Sequence, residues 1–123
     1  MSFSTNLERR DAAAIVTMEG DLDIATEARA TADLDQAMDG CEVLVVDLRE
    51  LSFLDSTGVR VLLAADLRAR EKGMRFGVVR GDGMVARLLE VTRIDQRFPV
   101  VDDPEELIGA GPAKPAGESP AAD

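Results

Sequence analysis

Residues 43–79 read VLVVDLRELSFLDSTGVRVLLAADLRAREKGMRFGVV, and this stretch decides the fold. Its first part, Val43–Leu48, is apolar except for Asp47, which is typical of a central strand covered on both faces. A helix is predicted from Ser56 to about Lys72, ended by Gly73, because its apolar positions share one broad face. Phe76–Val79 is predicted to be the next strand. A strand, a helix and a strand in succession indicate an α/β sheet with helices packed on it.

The same alternation continues on both sides of this stretch. Upstream, residues 12–18 are predicted to form a strand that ends at a turn, Gly20-Asp21, and Thr26 is a candidate N-cap of a helix that ends at Gly40. Downstream, residues 85–92 carry the apolar stripe of a shorter helix. Phe98–Val101 could be a last strand, placed at an edge because Pro99 cannot donate to a ladder.

The C-terminal part of the sequence changes character at residue 109. Asp103-Pro104-Glu105-Glu106 is typical of a helix start, with an acidic N-cap, a proline at the first position and acids in the first turn. From Gly109 the chain reads GAGPAKPAGESPAAD and offers no apolar face to bury. We therefore expect one domain over residues 1–108, with four to five strands in a mixed sheet and about four helices, followed by a disordered tail at 109–123.

Composition narrows the possible functions. The 123 residues carry a formal net charge of −10, which argues against binding to nucleic acid and would attract a basic partner. There is no histidine, so the commonest general base and most zinc sites are missing. The single cysteine and the lack of a long apolar run favour a cytoplasmic protein that does not cross a membrane. We expect no catalytic residue, no metal site and no cofactor.

Polar residues cluster where the central strand gives way to the second helix. Asp55, Ser56 and Thr57 place a carboxylate and two hydroxyls at a helix start, where backbone N–H groups lack helical partners. Gly58 removes a side chain beside them, which would let another molecule approach the backbone. The helix dipole favours an anion at this point. From these residues alone, a simple N-cap is the commoner explanation.

A resemblance to a known family adds to this interpretation. The segment LSFLDSTGVRVLL, residues 51–63, resembles the signature of the STAS domain, in particular of anti-sigma factor antagonists of the SpoIIAA and RsbV type. Gly20-Asp21-Leu22-Asp23 is similar to the turn that follows an early strand in that family. The resemblance extends over about residues 3–108. Gly81-Asp82-Gly83 departs from the proline-containing loop expected before the third helix.

The resemblance implies a phosphorylation switch. It makes Ser56 the phosphorylation site, with Thr57 as an alternative acceptor, and places Asp23, Asp55, Ser56, Thr57 and Gly58 on the partner-binding surface. The unphosphorylated protein, expected to be a monomer, would bind an anti-sigma factor that is also a serine kinase and so release a sigma factor. ATP would be the kinase's cofactor, and a PP2C-type phosphatase would reverse the reaction.

Three other interpretations remain open at this point. Ser56-Thr57-Gly58 matches part of an esterase motif, but the motif's first glycine and a histidine are missing. Asp47 could accept a phosphoryl group as in a receiver domain, without the acidic pair that would hold Mg²⁺. A STAS subunit of a lipid-transport or other ATPase-containing complex would keep the fold without phosphorylation.

Met74 and Met84 are interpreted as core residues.

Overall fold

The computed structural model describes residues 2–108, so the predicted tail at 109–123 lies outside the described residues. The strands are β1 (Phe3–Arg10), β2 (Ala13–Leu22), β3 (Val43–Asp47), β4 (Leu51–Leu54), β5 (Arg75–Val79) and β6 (Val100–Val101). The helices are α1 (Glu27–Ala37), α2 (Ser56–Glu71), α3 (Gly83–Val91) and α4 (Glu105–Ile108), with a short 3-10 turn at Ile94–Gln96. The predicted α/β class and the predicted mixed sheet with four helices are confirmed.

The six strands form one sheet in the order β1-β2-β3-β5-β6, and β4 pairs with β2. Strand β1 runs antiparallel to β2, whereas the other pairings are parallel. Strand β2 pairs with β3 along its first half and with β4 along its last residues. The carboxyl ends of β2 and β4 therefore lie side by side at the same end of the strands. Strand β2 leads to α1, and β4 leads to α2.

Continuous apolar sequence in the central strands follows from burial on two faces. Leu44, Val46 and Leu48 belong to the larger core, which is shared with α1, α2 and α3. Val43 and Val45 belong to a smaller core on the opposite face, where Leu107 of α4 packs. Because alternate residues of a strand point to opposite faces, each of these positions is covered by protein.

Two sequence predictions for the N-terminal region are wrong. Strand β1 was not predicted, because it lies at the edge of the sheet and most of its side chains are exposed, so it has no apolar run. Gly20-Asp21 is not a turn: both residues lie within β2, at a shift in its pairing with β4. Gly20 has φ +97, and a Cβ there would lie 2.0 Å from the Ser2 carbonyl oxygen, so this irregular strand position requires glycine.

Strand β4 was also missed, since residues 51–54 were interpreted as part of the connection between β3 and α2. Its two middle residues, Ser52 and Phe53, are exposed and only Leu51 and Leu54 are buried, so the segment has no alternating apolar pattern that would predict a strand. The segment nevertheless pairs with the end of β2. As a result, a strand rather than a loop leads into the first turn of α2.

Two features of side-chain burial concern α2 and the two methionines interpreted as core residues. Asp66 lies on the buried face of α2, is 4% exposed and contacts Arg70, four residues further along the helix, at 3.1 Å. Burial raises the pKa of the Asp66 carboxyl, and Arg70 opposes that effect. Met74 is buried as expected, but Met84 is 64% exposed and is not a core residue.

Candidate functional site

Asp55 begins α2 as its N-cap. Its backbone is extended, with φ −121 and ψ −169, and its carboxylate accepts a hydrogen bond from the Gly58 N–H at 3.1 Å. Ser56 is then the first helical residue, and its side chain is exposed. The N-cap explanation is therefore correct for Asp55, and it leaves the neighbouring hydroxyl of Ser56 accessible at the start of the helix.

Asp23 lies beside this helix start because of strand pairing. Leu22 of β2 pairs with Leu54 of β4 in parallel, so Asp23 and Asp55 each follow one member of the same pair. The Asp23 carboxylate accepts a hydrogen bond from the Ala25 N–H at 2.9 Å, which holds it in the turn before α1. The structure thus brings together two acidic residues that are 32 positions apart in the sequence.

Thr26 supports the same turn in a way that the sequence did not predict. Its side chain makes no N-cap hydrogen bond within α1. Instead, its hydroxyl donates to the Asp21 carbonyl at 2.8 Å and accepts from the Asp23 N–H at 3.0 Å. Thr26 therefore ties the turn that carries Asp23 to the end of β2.

Thr57 and Gly58 face the protein interior instead of the surface. Thr57 is 8% exposed. A Cβ on Gly58 would lie 2.8 Å from the Leu22 carbonyl oxygen and 2.4 Å from Leu54 Cδ1. Strands β2 and β4 therefore pack closely against the Gly58 backbone. They occupy the space in which the sequence analysis expected another molecule to approach. The accessible part of the predicted site consists of Asp23, Asp55 and Ser56.

Three exposed apolar side chains lie on β4, on the turn after β2 and on α3, which packs against β4, and the sequence analysis did not identify them as surface residues. Ile24, in the turn after β2, is 75% exposed, and Phe53 of β4 is 37% exposed. Met84 lies in the first turn of α3, which packs against β4. Ile24 and Phe53 lie outside the apolar patterns from which strands and helices were predicted, and Met84 was interpreted as a core residue. Ile24, Phe53 and Met84 are called the apolar rim below.

Asp47, which the receiver-like interpretation treats as a phosphoryl acceptor, is hydrogen-bonded to Arg49. It is 4% exposed, and its carboxylate accepts hydrogen bonds from Arg49 Nε at 3.1 Å and Arg49 Nη2 at 2.8 Å. It also accepts from the Arg49 backbone N–H at 3.0 Å. This pairing raises the pKa of the Arg49 guanidinium. A buried carboxylate that is held by three donors has a structural role at the end of β3.

The sheet order, the helix start and the paired strand ends together define a STAS domain. The family model described as "STAS domain" matches residues 4–107, and the chain belongs to this family. Within the described residues, no helix is both long enough and apolar enough to span a bilayer.

Several proteins that this chain resembles are named anti-sigma factor antagonists. The chain is 29% identical over 105 residues to an anti-sigma F factor antagonist of Paenibacillus polymyxa, with 84% of this chain and 90% of the relative covered. It is similar to the crystal structure of an anti-sigma factor antagonist from Mycobacterium paratuberculosis, with a TM-score of 0.79 and 27% identity over 89% of this chain and 93% of the other. The phosphorylated form of Bacillus SpoIIAA shares the fold, with a TM-score of 0.65 and 17% identity over 87% of this chain and 98% of the other.

Proposed function

We propose that this protein is an anti-sigma factor antagonist whose binding is switched off by phosphorylation of Ser56. The observation that carries the proposal is the exposed Ser56 hydroxyl at the first position of α2, directly after its capping residue Asp55. The names of the relatives support the partner class, because they are antagonists of anti-sigma factors. In this function the protein is a regulatory binding protein and the substrate of a kinase, not an enzyme.

The unphosphorylated protein binds the anti-sigma factor through the surface around the start of α2. Asp23, Asp55 and Ser56 provide its polar part, and the apolar rim provides surface that binding removes from water. Burying apolar side chains contributes roughly 25 cal/mol per Å² of area removed from water. A surface that combines polar groups with a few exposed apolar side chains suits a reversible protein interface, because such interfaces are about as apolar as the rest of a protein surface.

Phosphorylation requires no rearrangement of the fold. An anti-sigma factor that is also a serine kinase transfers the γ-phosphoryl group of ATP to Ser56 Oγ: the new O–P bond forms, the bond to ADP breaks, and the hydroxyl proton leaves to a base on the kinase. A PP2C-type phosphatase hydrolyses the phosphoserine and restores the hydroxyl. The acceptor is exposed in the first turn of the helix, so the phosphate is accommodated in solvent.

The added charge is sufficient to release the partner. A phosphate on serine adds roughly −1.5 to −2 charges at neutral pH. At about 4 Å from a partner carboxylate, one unit of like charge costs about 4 kcal/mol at an effective dielectric constant near 20. If screening removes half of this energy, about 2 kcal/mol remains per charge, which weakens binding roughly 30-fold.

The acceptor is tested by phosphate transfer from the cognate anti-sigma factor kinase with labelled ATP. Wild type and Thr57→Ala are expected to be labelled at Ser56, as mapped by mass spectrometry, whereas Ser56→Ala is expected to remain unlabelled. Thr57 is the matched control because it is the adjacent hydroxyl but is buried. Labelling of Ser56→Ala at the wild-type level would refute the proposed acceptor.

The switch is tested by affinity measurements with the same partner. Ser56→Ala is expected to bind like the unphosphorylated wild type, and Ser56→Asp at least tenfold more weakly, because a carboxylate supplies part of the phosphate's charge. Equal affinity of the two variants would contradict an electrostatic switch. Recovery of a transporter ATPase in place of a kinase in a pulldown would instead support a STAS subunit of a transport complex.

A further inference from the structure

Helix α2 contains three arginines, and two of them are paired with acids. Arg68 contacts Asp35 of α1 at 2.5 Å, and Arg70 contacts Asp66 at 3.1 Å. The third, Arg60, is exposed, and its side chain makes no ion pair or hydrogen bond with any of residues 2–108. Arg60 is therefore the one arginine of α2 that has no acidic partner among residues 2–108.

The position of Arg60 on the helix explains why it lacks a partner. Residues three and four positions apart are neighbours on a helix surface. For Arg60 these neighbours are Ser56 and Thr57 on one side and Leu63 and Ala64 on the other, and none of them is charged. Ser56 is exposed as well, so both side chains lie on the solvent side of the first two turns of α2.

We propose that Arg60 is the positioning residue for a phosphate on Ser56, with which its guanidinium forms an ion pair one helical turn away. This inference rests on the proposed phosphorylation of Ser56 and adds a residue to it. Serine followed four positions later by arginine places the anion nearer the helix N-terminus, the favourable orientation for such a pair. A planar guanidinium can donate two parallel hydrogen bonds to phosphate oxygens.

Arg60 also gives phosphorylation a second effect on binding. In the unphosphorylated protein the exposed guanidinium of Arg60 is available to a carboxylate of the partner. The phosphate then engages this guanidinium within the helix. Phosphorylation therefore adds a repulsive charge and removes an attractive one from the same surface.

The pair is tested by phosphorus NMR titration of protein with phosphoserine installed at position 56 during translation. The acidic residues nearest in the chain and across the strand pair, Asp55 and Asp23, raise the pKa of the phosphate, whereas Arg60 lowers it. Arg60→Gln is expected to raise the titration midpoint by about 0.3 pH units. Arg60→Lys, which keeps the charge, is expected to return it towards the wild-type value.

The matched control is Lys72→Gln, which removes one positive charge from the other end of the same helix. Sixteen residues of helix place Lys72 about 24 Å from Ser56, beyond the screening length of about 8 Å at physiological salt. Its midpoint is expected to equal that of wild type. Equal midpoints for Arg60→Gln and Lys72→Gln would overturn the proposal.

This outcome is separate from a failure of the proposed function. The phosphoserine is installed without a kinase, so the titration measures the pair whether or not a kinase acts on Ser56. An unlabelled wild-type protein in the kinase assay would refute the proposed switch, whereas an unchanged titration midpoint would refute only the role of Arg60.

Discussion

Gly58→Ala provides the sharpest test of how the site is built. A Cβ at this position lies 2.4 Å from Leu54 Cδ1, which can rotate away, and 2.8 Å from the main-chain oxygen of Leu22, which cannot. Replacing glycine by alanine within a helix contributes about 0.5–1 kcal/mol of stability, but overpacking costs about 1–3 kcal/mol. We expect a net loss of about 1–2 kcal/mol because the first turn of α2 must move away from β2.

The loss is measured by urea denaturation followed by circular dichroism, and by the melting temperature. For a domain of this size the expected change lowers Tm by roughly 5–10 °C. Ala64→Gly, at a half-buried position of the same helix, measures the propensity difference without this contact. If Gly58→Ala stabilises the protein by the full propensity difference, the argument that β2 blocks a side chain at this position is refuted.

Three further predictions concern capping, pH and the interface. Asp55→Ala is expected to lower the free energy of unfolding by about 1 kcal/mol in urea denaturation, because the first turn of α2 loses its side-chain acceptor, whereas Asp55→Asn should retain most of it. Burial raises the pKa of Asp66 in the folded state above its ordinary value of 3.8, so the stability gained from its protonation is complete below 3.8 and is lost as the pH rises through the folded pKa. Wild type should therefore gain unfolding free energy relative to Asp66→Asn as the pH falls from 7 towards 4, and a constant difference would contradict this. Ile24→Ser is expected to weaken binding of the anti-sigma factor at least threefold without lowering Tm, and Leu67→Ser, on the exposed face of α2, serves as its control in the same affinity measurement.

The residues with the strongest local signals were predicted well. Val43–Leu48 is apolar on both faces because helices cover the sheet on both sides, and such a run is visible without knowing its neighbours. The start of α2 was also predicted, since Asp55 caps it through a contact with Gly58 only three residues away. Both features depend on interactions that are short-range along the chain or on burial that needs no particular partner.

The two strands that were not predicted show the limit of prediction from apolar patterns. Strand β1 is an edge strand with mostly exposed side chains, and β4 has four residues of which two are exposed. Each is held by backbone hydrogen bonds to β2. Backbone pairing leaves little trace in side-chain type, so no pattern of apolar residues marked either strand.

The sequence by itself determined the α/β class, the central strands, the order of the helices and the presence of Ser56 at a helix start. Only the tertiary structure decided that Gly58 and Thr57 face inward, that Asp23 lies beside Asp55, that Ser56 is accessible, and that Ile24, Phe53 and Met84 are exposed. The physical reason is the range of the interactions. Caps and periodic burial act within a few residues, whereas the site is assembled by strand pairing between segments that are 30 residues apart or more.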